Sequence, residues 1–239
     1  MPSETPRVSI PWPPLVEGRL VRRYKRFLAD VELPGVGLVT AHTPNTGSML
    51  DCSESGRPVF LSRSPNPGRK YPFSWEMIAM GDGLVGVNTV LPNRLAFLAL
   101  EAGALPGLPL AGRLEREVRV GRSRLDLRLS AADGTEVWVE VKNCSLVRDG
   151  TALFPDAVSA RGARHLGELA GLVGPGRRAV LLVLVQRGGA GFFSPADSID
   201  PAWGQALRAA LRQGVELLAH SVDLSLERAS LGRRLEARL

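Results

Sequence analysis

Hydrophobic and polar residues alternate with period two in several short stretches of the amino-terminal part of the chain. These stretches lie around residues 15–33, 37–41, 58–62, 71–80 and 84–87. Loops rich in Pro, Gly, Asn and Ser separate them, and such punctuation is typical of β-strands in small barrels. Residues 1–89 are therefore predicted to form an all-β domain, for which an OB-like barrel is a candidate architecture.

The pattern changes after residue 89, where helix-like periodicity alternates with short apolar runs. Three helices are predicted, each with a proline near its start and a glycine just after its end. These helices span residues 93–102, 156–173 and 201–213. Buried or closing strands are predicted at residues 179–186, 215–222 and 229–235. Residues 90–239 are therefore predicted to form an α/β domain.

Two further alternating segments at the centre of this domain are joined by the sequence Ala-Ala-Asp-Gly-Thr. A three-residue loop at 132–134 keeps all apolar side chains of the resulting hairpin on one face, whereas a two-residue turn would separate them. That face is predicted to hold Leu125, Leu127 and Leu129 with Val137, Val139 and Val141. The same register places Asp126 opposite Glu140, with Lys142 on the same polar face.

Carboxylates that lie directly opposite each other repel, and a cation between them relieves the repulsion. Mg²⁺ prefers oxygen ligands and takes only one or two carboxylates. Asp126, Glu140 and the Val141 carbonyl are the predicted ligands of Mg²⁺ or Mn²⁺, and Lys142 is predicted to orient or deprotonate a water. Hydrolysis of a phosphodiester uses such a centre. A salt-bridged sheet surface without a catalytic role is the alternative.

For three other polar residues, the sequence evidence for a role in the site is weaker. Glu117 precedes the hairpin and could add a carboxylate, although a solvated charge is the favoured explanation. Gln186 ends a predicted buried strand, where it could face the site or simply terminate the strand. His165 follows two arginines on the second predicted helix, where it could contact a phosphate, but the favoured interpretation is a surface histidine without a role.

The formal net charge of +6 and the calculated pI of about 10.1 are compatible with a polyanionic partner. Two basic segments with interleaved aromatic residues are predicted to contact nucleic-acid phosphates. The predicted contacts are Arg22, Arg23, Lys25, Arg26, Arg63, Arg69 and Lys70. In the alternative, the neighbouring aromatic side chains face the barrel core and the cations are only solvated.

Several classes of protein are disfavoured by the sequence. No apolar run approaches the roughly 20 residues that span a bilayer, so no membrane partner is expected. The first six residues lack the basic and apolar regions of a secretory signal. The two cysteines, Cys52 and Cys144, give neither a disulfide framework nor zinc-ligand spacing. A cytoplasmic location is the expectation.

A series of longer motifs resembles the sugar fermentation stimulation protein A (SfsA) family, over nearly the whole length after the first ten or so residues. The motifs are Arg-Arg-Tyr-Lys-Arg-Phe-Leu-Ala-Asp at 22–30, His-Thr-Pro-Asn-Thr-Gly-Ser-Met at 42–49, Gly-Val-Asn-Thr at 86–89, Leu-Pro-Asn-Arg at 91–94, Glu-Val-Lys-Asn at 140–143, and Phe-Pro-Asp-Ala-Val at 154–158 with Ala-Arg-Gly at 160–162. The resemblance implies a prokaryotic cytoplasmic protein with an amino-terminal OB-like domain and a carboxy-terminal PD-(D/E)xK nuclease-like domain. It also implies non-specific DNA binding and a role in regulating sugar (maltose) metabolism. The nuclease-like residues of the family map onto Asp126, Glu140 and Lys142.

Two functional hypotheses follow from these observations. In the first, the protein binds DNA non-specifically and carries a Mg²⁺-dependent nuclease site. In the second, it is a non-catalytic DNA-binding regulator that uses the nuclease-like domain only as a clamp. A partner-binding adaptor unrelated to nucleic acid is a third reading, disfavoured by the clustered cations. Nuclease folds of this kind can form homodimers that cut both strands, but the sequence identifies no dimer interface.

Overall fold

The computed structural model describes residues 6–121 and 123–239. Residues 1–5, on which the expectation of no secretory signal partly rests, and Arg122 lie outside the described residues. The first seven strands are β1 (Ser9–Pro11), β2 (Leu15–Tyr24), β3 (Leu28–Leu33), β4 (Gly37–His42), β5 (Pro58–Arg63), β6 (Phe73–Met80) and β7 (Gly83–Gly86). They are followed by α1 (Val90–Glu101), β8 (Arg113–Val120), β9 (Ser123–Ser130), β10 (Glu136–Cys144), β11 (Leu146–Arg148), β12 (Thr151–Phe154) and α2 (Ala160–Ala170). The last elements are β13 (Arg177–Val185), β14 (Phe192–Pro195), α3 (Pro201–Arg212), β15 (Glu216–Leu224), β16 (Arg228–Arg234) and β17 (Glu236–Ala237).

Strands β2 to β6 form a closed barrel. Antiparallel pairs join β2 to β3, β3 to β4, β2 to β5 and β5 to β6, and a short parallel pairing of β4 with β6 closes the ring. Strand β7 adds to β6 from outside. The interior is filled by apolar side chains, among them the fully buried Trp75 and Leu61. This pairing order is that of an OB barrel, as predicted from the alternation and the punctuation.

The second half of the chain is built around a seven-stranded sheet in the order β1-β16-β15-β13-β10-β9-β8. Strands β10, β13 and β15 are parallel to one another, and the outer pairings are antiparallel. Helix α1 covers one face, and α2 and α3 cover the other. Strand β13 contributes side chains to the hydrophobic cores on both faces of the sheet, since Leu182 packs on the α1 side and Leu181 on the α2 side. The mixed α/β fold is therefore confirmed.

One short strand crosses the predicted domain division. Strand β1 pairs with β16, and Ile10 is buried in the core beneath α1. A three-residue strand is too short to reveal a period-two pattern, so these residues had been assigned to the barrel unit of residues 1–89. The division at residue 89 stays a prediction for the rest of the chain.

Two helix starts differ from the prediction. Helix α1 begins at Val90, because the Asn88 side chain accepts a hydrogen bond from the Val90 backbone N–H (2.9 Å). Helix α2 begins at Ala160, four residues later than predicted, because the Ser159 hydroxyl caps it by accepting from the Gly162 N–H. None of the helices in the described residues is long and apolar enough to cross a membrane.

Candidate active site

The hairpin of β9 and β10 has the predicted register. The Ala131 N–H donates to the Thr135 carbonyl (2.8 Å), and Gly134 closes the three-residue loop with a φ of +85°. The paired residues run from Ser130 opposite Glu136 to Leu127 opposite Val139. The regular pairing ends there, so Asp126 and Glu140 are not a paired couple of the ladder, and their approach depends on the irregular strand geometry beyond it.

The regular strand geometry is interrupted at Asp126. Here the Val141 N–H donates to the Asp126 side-chain Oδ2 (2.8 Å). On the other side of β9, Glu117 has a left-handed φ of +54°. The prediction that Leu125 shares a face with Leu127 is wrong, because Leu125 packs beneath α2 and Leu127 beneath α1. The break in alternation frees the Asp126 side chain from its regular position in the sheet.

Asp126 is half-buried and held at both oxygens. Its Oδ1 accepts from Asn93 Nδ2 of α1 (2.8 Å), and its Oδ2 accepts from the Val141 N–H. Burial and then the negative charge of Glu140 raise the pKa of Asp126 to about 6. The two carboxylates therefore interact electrostatically, as expected of groups that converge on one point.

Glu140 is almost completely buried, with 3% of its surface exposed. Its Oε1 lies 2.5 Å from Lys142 Nζ and 2.6 Å from His165 Nδ1. Burial opposes ionisation, but the contacts with His165 and Lys142 outweigh it and hold the pKa of Glu140 below its ordinary value. Oε2 is also buried, and it has no hydrogen-bond partner among the described residues. One carboxylate oxygen is thus left available to a ligand.

These side chains line a cleft of about 1280 Å³ between the barrel and the α/β domain. Among the described residues, its lining carries seven cationic side chains: Arg23, Arg26, Arg119, Arg124, Lys142, Arg161 and Arg164. It also carries four carboxylates: Glu117, Asp126, Glu140 and Asp156. The excess of positive charge favours an anionic ligand larger than a single ion.

The donor set fits a magnesium-type ion better than zinc. Within residues 6–121 and 123–239, no three His, Cys, Asp or Glu side chains are grouped to hold a metal. Mg²⁺ does not require such a cage, because it keeps several waters and uses one or two carboxylates. The unpartnered Oε2 of Glu140 beside Asp126 meets that requirement.

The predicted nucleic-acid contacts divide into two groups. Arg23 and Arg26 line the cleft. Outside the cleft lining are Arg22, Lys25, Arg63, Arg69 and Lys70. The Arg22 guanidinium forms a salt bridge with Asp30 (2.9 Å), and its side chain remains largely exposed. Five of the seven predicted contacts therefore lie outside the cleft.

Arg23 has a structural task that its sequence context did not indicate. Its guanidinium donates to the carbonyls of Arg26, Asn45, Gly47 and Ser48, at 2.6 to 3.2 Å. Three of these carbonyls share Nη2, whereas Nε is buried without a partner among the described residues. We therefore assign Arg23 mainly to fixing the loop at residues 45–48, which forms the barrel side of the cleft.

The same loop joins the two domains. The Asp156 Oδ2 accepts from the Met49 N–H (2.9 Å), and the Ser48 hydroxyl donates to the Asp156 carbonyl (2.5 Å). A Cβ on Gly47 would lie 3.0 Å from the Asp156 Oδ1, so only glycine allows this close approach without a shift. This interdomain staple, formed by Gly47, Ser48, Met49 and Asp156, sets one end of the cleft.

The accessory residues lie in different places. Glu117 is exposed and lines the cleft, where its carboxylate accepts from Arg124 (3.4 Å). Gln186 is fully buried and lies outside the cleft lining. Its Nε2 donates to Asn143 Oδ1 (2.7 Å) and to the Asn88 carbonyl (3.2 Å). Gln186 therefore reaches the site only through Asn143, which itself lines the cleft.

Sequence reasoning missed part of the cleft. Arg119 and Arg124 lie opposite each other on β8 and β9, and Arg161 and Arg164 extend from α2. His165 was interpreted as a surface residue, but it is 4% exposed and contacts Glu140. The helical spacing of the buried α2 residues could have located it, as they are Gly162, His165, Leu166, Leu169 and Ala170.

Comparison with known families places this geometry in context. The "SfsA N-terminal OB domain" matches residues 21–87, and the "Sugar fermentation stimulation protein RE domain" matches residues 90–228. The chain belongs to the SfsA family. The predicted family and the two-part fold, an OB barrel followed by a restriction-endonuclease-like domain, are both confirmed.

Family relatives are similar over nearly their full length. The chain is 50% identical over 223 residues to the sugar fermentation stimulation protein homolog of Citrifermentans bemidjiense, covering 93% of this chain and 96% of that protein. It is also 50% identical over 225 residues to the homolog of Geobacter metallireducens, covering 93% and 96%. The structure of Pyrococcus furiosus SfsA in complex with Ca²⁺ superposes with a TM-score of 0.86 at 28% identity, covering 96% of this chain and 98% of that one.

Proposed function

We propose that the protein is a non-specific DNA-binding, metal-dependent phosphodiesterase. The observation that carries the proposal is the buried, unpartnered Oε2 of Glu140 beside Asp126, in a cleft with excess positive charge. An unpaired buried carboxylate oxygen is costly, so its retention favours a ligand that completes it. A divalent cation is the ligand that two neighbouring carboxylates suit best.

Asp126, Glu140 and the Val141 carbonyl are the proposed ligands of Mg²⁺ or Mn²⁺. When bound, such an ion supplies positive charge to phosphoryl oxygens and lowers the pKa of a coordinated water. The Ca²⁺ complex of the Pyrococcus furiosus relative supports a divalent-cation site, because Ca²⁺ also takes oxygen ligands. Asn93 and the Val141 N–H hold Asp126 in place by hydrogen bonds to its two oxygens.

Lys142 is the proposed group that orients or deprotonates the attacking water. Its ammonium lies 2.5 Å from the Glu140 Oε1 and is mostly shielded from solvent. A compact ammonium can orient a water and stabilise the negative charge that develops on a phosphoryl group. Its attachment two residues after Glu140 on the same strand face keeps it beside the proposed metal ligands.

The arginines of the cleft are the proposed contacts to the DNA backbone. Arg119 and Arg124 form a directly opposed cross-strand pair of like charges; Glu117 contacts Arg124 at 3.4 Å, and a phosphate would bring a further anion to the pair. Arg161 and Arg164 offer further cations from α2. Phosphate contacts of this kind are independent of sequence and weaken as salt rises, with a slope of about −0.9 per phosphate contacted.

A cleavage assay with matched lysine variants tests this proposal. End-labelled DNA is incubated with the wild-type protein and Mg²⁺ or Mn²⁺, and with EDTA as the metal-free control. We expect metal-dependent cleavage that Lys142→Ala abolishes while DNA binding persists. Lys70→Ala is the matched control: it removes an ammonium from a predicted DNA contact outside the cleft lining, so it should at most weaken DNA binding and leave cleavage of bound DNA intact.

The outcomes separate the two hypotheses. Cleavage that survives Lys142→Ala would mean that another site or a contaminant is responsible. DNA binding without cleavage in any metal would favour the non-catalytic clamp. A binding constant that does not change between low and high salt would contradict the proposed phosphate contacts. A cytoplasmic location stays a prediction from the sequence and the family resemblance, and a role in regulating sugar (maltose) metabolism stays a prediction that rests on the family resemblance alone.

A further inference from the structure

The contact between α2 and Glu140 involves a histidine that the proposed chemistry has not used. His165 faces the sheet from the middle of α2 and is 4% exposed. Its Nδ1 lies 2.6 Å from the Glu140 Oε1. A buried histidine at this distance from a buried carboxylate forms a strong, directional hydrogen bond.

The second ring nitrogen of His165 fixes the direction of that bond. Arg161 lies one helical turn earlier, and its Nε donates to the His165 Nε2 at 3.3 Å. A nitrogen that accepts a hydrogen bond cannot carry a proton, so the proton of the imidazole lies on Nδ1. His165 therefore donates to the Glu140 Oε1, and the tautomer is set by Arg161.

Glu140 is consequently held by two donors on one oxygen. Lys142 Nζ and His165 Nδ1 both contact Oε1, while Oε2 is buried with no partner among the described residues. A carboxylate without partners could rotate about its bond to the side chain. Two donors, one from β10 and one from α2, instead hold the Glu140 carboxylate in one orientation. That orientation leaves Oε2 as the unpaired oxygen of a residue that lines the cleft.

We infer that His165 is a positioning residue that presents the Glu140 Oε2 to a divalent cation. The inference rests on the metal site of the proposed function and assigns a residue beyond it. Residues that hydrogen-bond to a metal ligand from behind orient it, and their loss typically costs about 10–100-fold in metal affinity. His165 does not touch the cation or the substrate itself.

Two substitutions separate positioning from a merely structural role. His165→Asn keeps a side-chain N–H close to the position of Nδ1, whereas His165→Leu removes the donor and keeps a similar volume. Mn²⁺ affinity is measured by electron paramagnetic resonance of the free ion for both variants and the wild type. We expect a loss of about 10–100-fold for His165→Leu and a change of less than about threefold for His165→Asn.

Equal Mn²⁺ affinity for His165→Leu and the wild type would overturn the inference, and so would an equal loss for both variants. A third measurement applies even if His165→Leu does not fold. The ¹⁵N chemical shifts of the His165 ring in the metal-free wild type report which nitrogen carries the proton. We expect protonated Nδ1 and unprotonated Nε2, and the reverse assignment would overturn the inference.

Failure of the proposed function has a different signature. Wild-type protein that binds Mn²⁺ with the expected dependence on His165, but cleaves no DNA, would refute the nuclease and leave the positioning role intact. Conversely, if His165→Leu binds Mn²⁺ and cleaves DNA as the wild type does, the nuclease stands and the positioning role fails.

Discussion

Removal of the Asp126 charge is expected to stabilise the metal-free protein at neutral pH. Asp126 is held half-buried next to the negative Glu140, which raises its pKa from the ordinary value of 3.8 to about 6. Above that pH the folded protein carries a desolvated charge that the unfolded chain exposes to water. Asp126→Asn keeps the shape of the side chain and removes the charge.

The magnitude follows from the difference in proton affinity. Because folded Asp126 binds its proton more tightly than the unfolded chain does, the free energy of unfolding falls as the pH rises from about 4 to about 6. Each factor of ten in proton affinity corresponds to about 1.4 kcal/mol, so the full effect is roughly 3 kcal/mol. Partial exposure to solvent reduces this, and we expect about 2 kcal/mol.

The assay is urea unfolding of wild type and Asp126→Asn in EDTA, at pH 4 and pH 7.5. Asparagine has one oxygen for two donors, Asn93 and the Val141 N–H, so the variant loses a hydrogen bond at both pH values. That cost of about 1 kcal/mol cancels when the difference in unfolding free energy between variant and wild type at pH 4 is subtracted from the same difference at pH 7.5. Relative to the wild type, the free energy of unfolding of the variant should therefore rise by about 2 kcal/mol between pH 4 and pH 7.5.

A control variant shows that the effect belongs to Asp126. Asp149→Asn neutralises an exposed carboxylate in a turn with a φ of +48°, a conformation that asparagine also adopts. It should follow the wild type at both pH values. If Asp126→Asn also follows the wild type, then Asp126 is not ionised in a desolvated site and the reasoning fails. Mn²⁺ should stabilise the wild type at pH 7.5 and should not stabilise the Asp126 variant.

Three further predictions concern binding and the joint between the domains. Arg164→Gln should reduce the salt slope of DNA binding, measured by fluorescence anisotropy, by about 0.9, and an unchanged slope would exclude a phosphate contact there. Gly86→Ala places a Cβ 2.5 Å from the Gln186 side-chain oxygen, so thermal unfolding should show a loss of about 1–3 kcal/mol. Gly81→Ala is its control, because nothing lies within 4 Å, and an equal loss in both would refute the clash. Arg23→Met should lower the free energy of unfolding by about 2–4 kcal/mol and speed hydrogen exchange in residues 45–48, and unchanged exchange would contradict its structural role.

Local patterns were sufficient for the centre of the fold. The alternation of the hairpin and a glycine able to adopt a positive φ fixed the register, and the observed pairing follows it. The break at Asp126 could not be predicted in this way, because the alternation of leucines continues through it in the sequence. Its causes are a side-chain bond to the Val141 N–H and the left-handed Glu117 on the neighbouring strand, both tertiary features.

Edge strands and helix starts were harder to predict. Strand β8 was missed because its sequence, Arg-Leu-Glu-Arg-Glu-Val-Arg-Val, is highly charged, as is common at the edge of a sheet. Proline at 155 suggested a helix start that the structure moves to Ala160, because Asp156 is engaged by the barrel. His165 was missed because its neighbouring arginines suggested an exposed position, although its helical spacing from Leu169 places it on the buried face of α2.

Because the interdomain staple at Asp156 holds the barrel loop against the endonuclease-like half, the shape of the cleft depends on residues from both domains. A chimera that combines the barrel of one relative with the endonuclease-like half of another would preserve both cores and still alter the groove. The residues that face each other across the cleft would then come from two different relatives. Engineering of this scaffold should therefore exchange residues 45–49 and 155–159 as one piece.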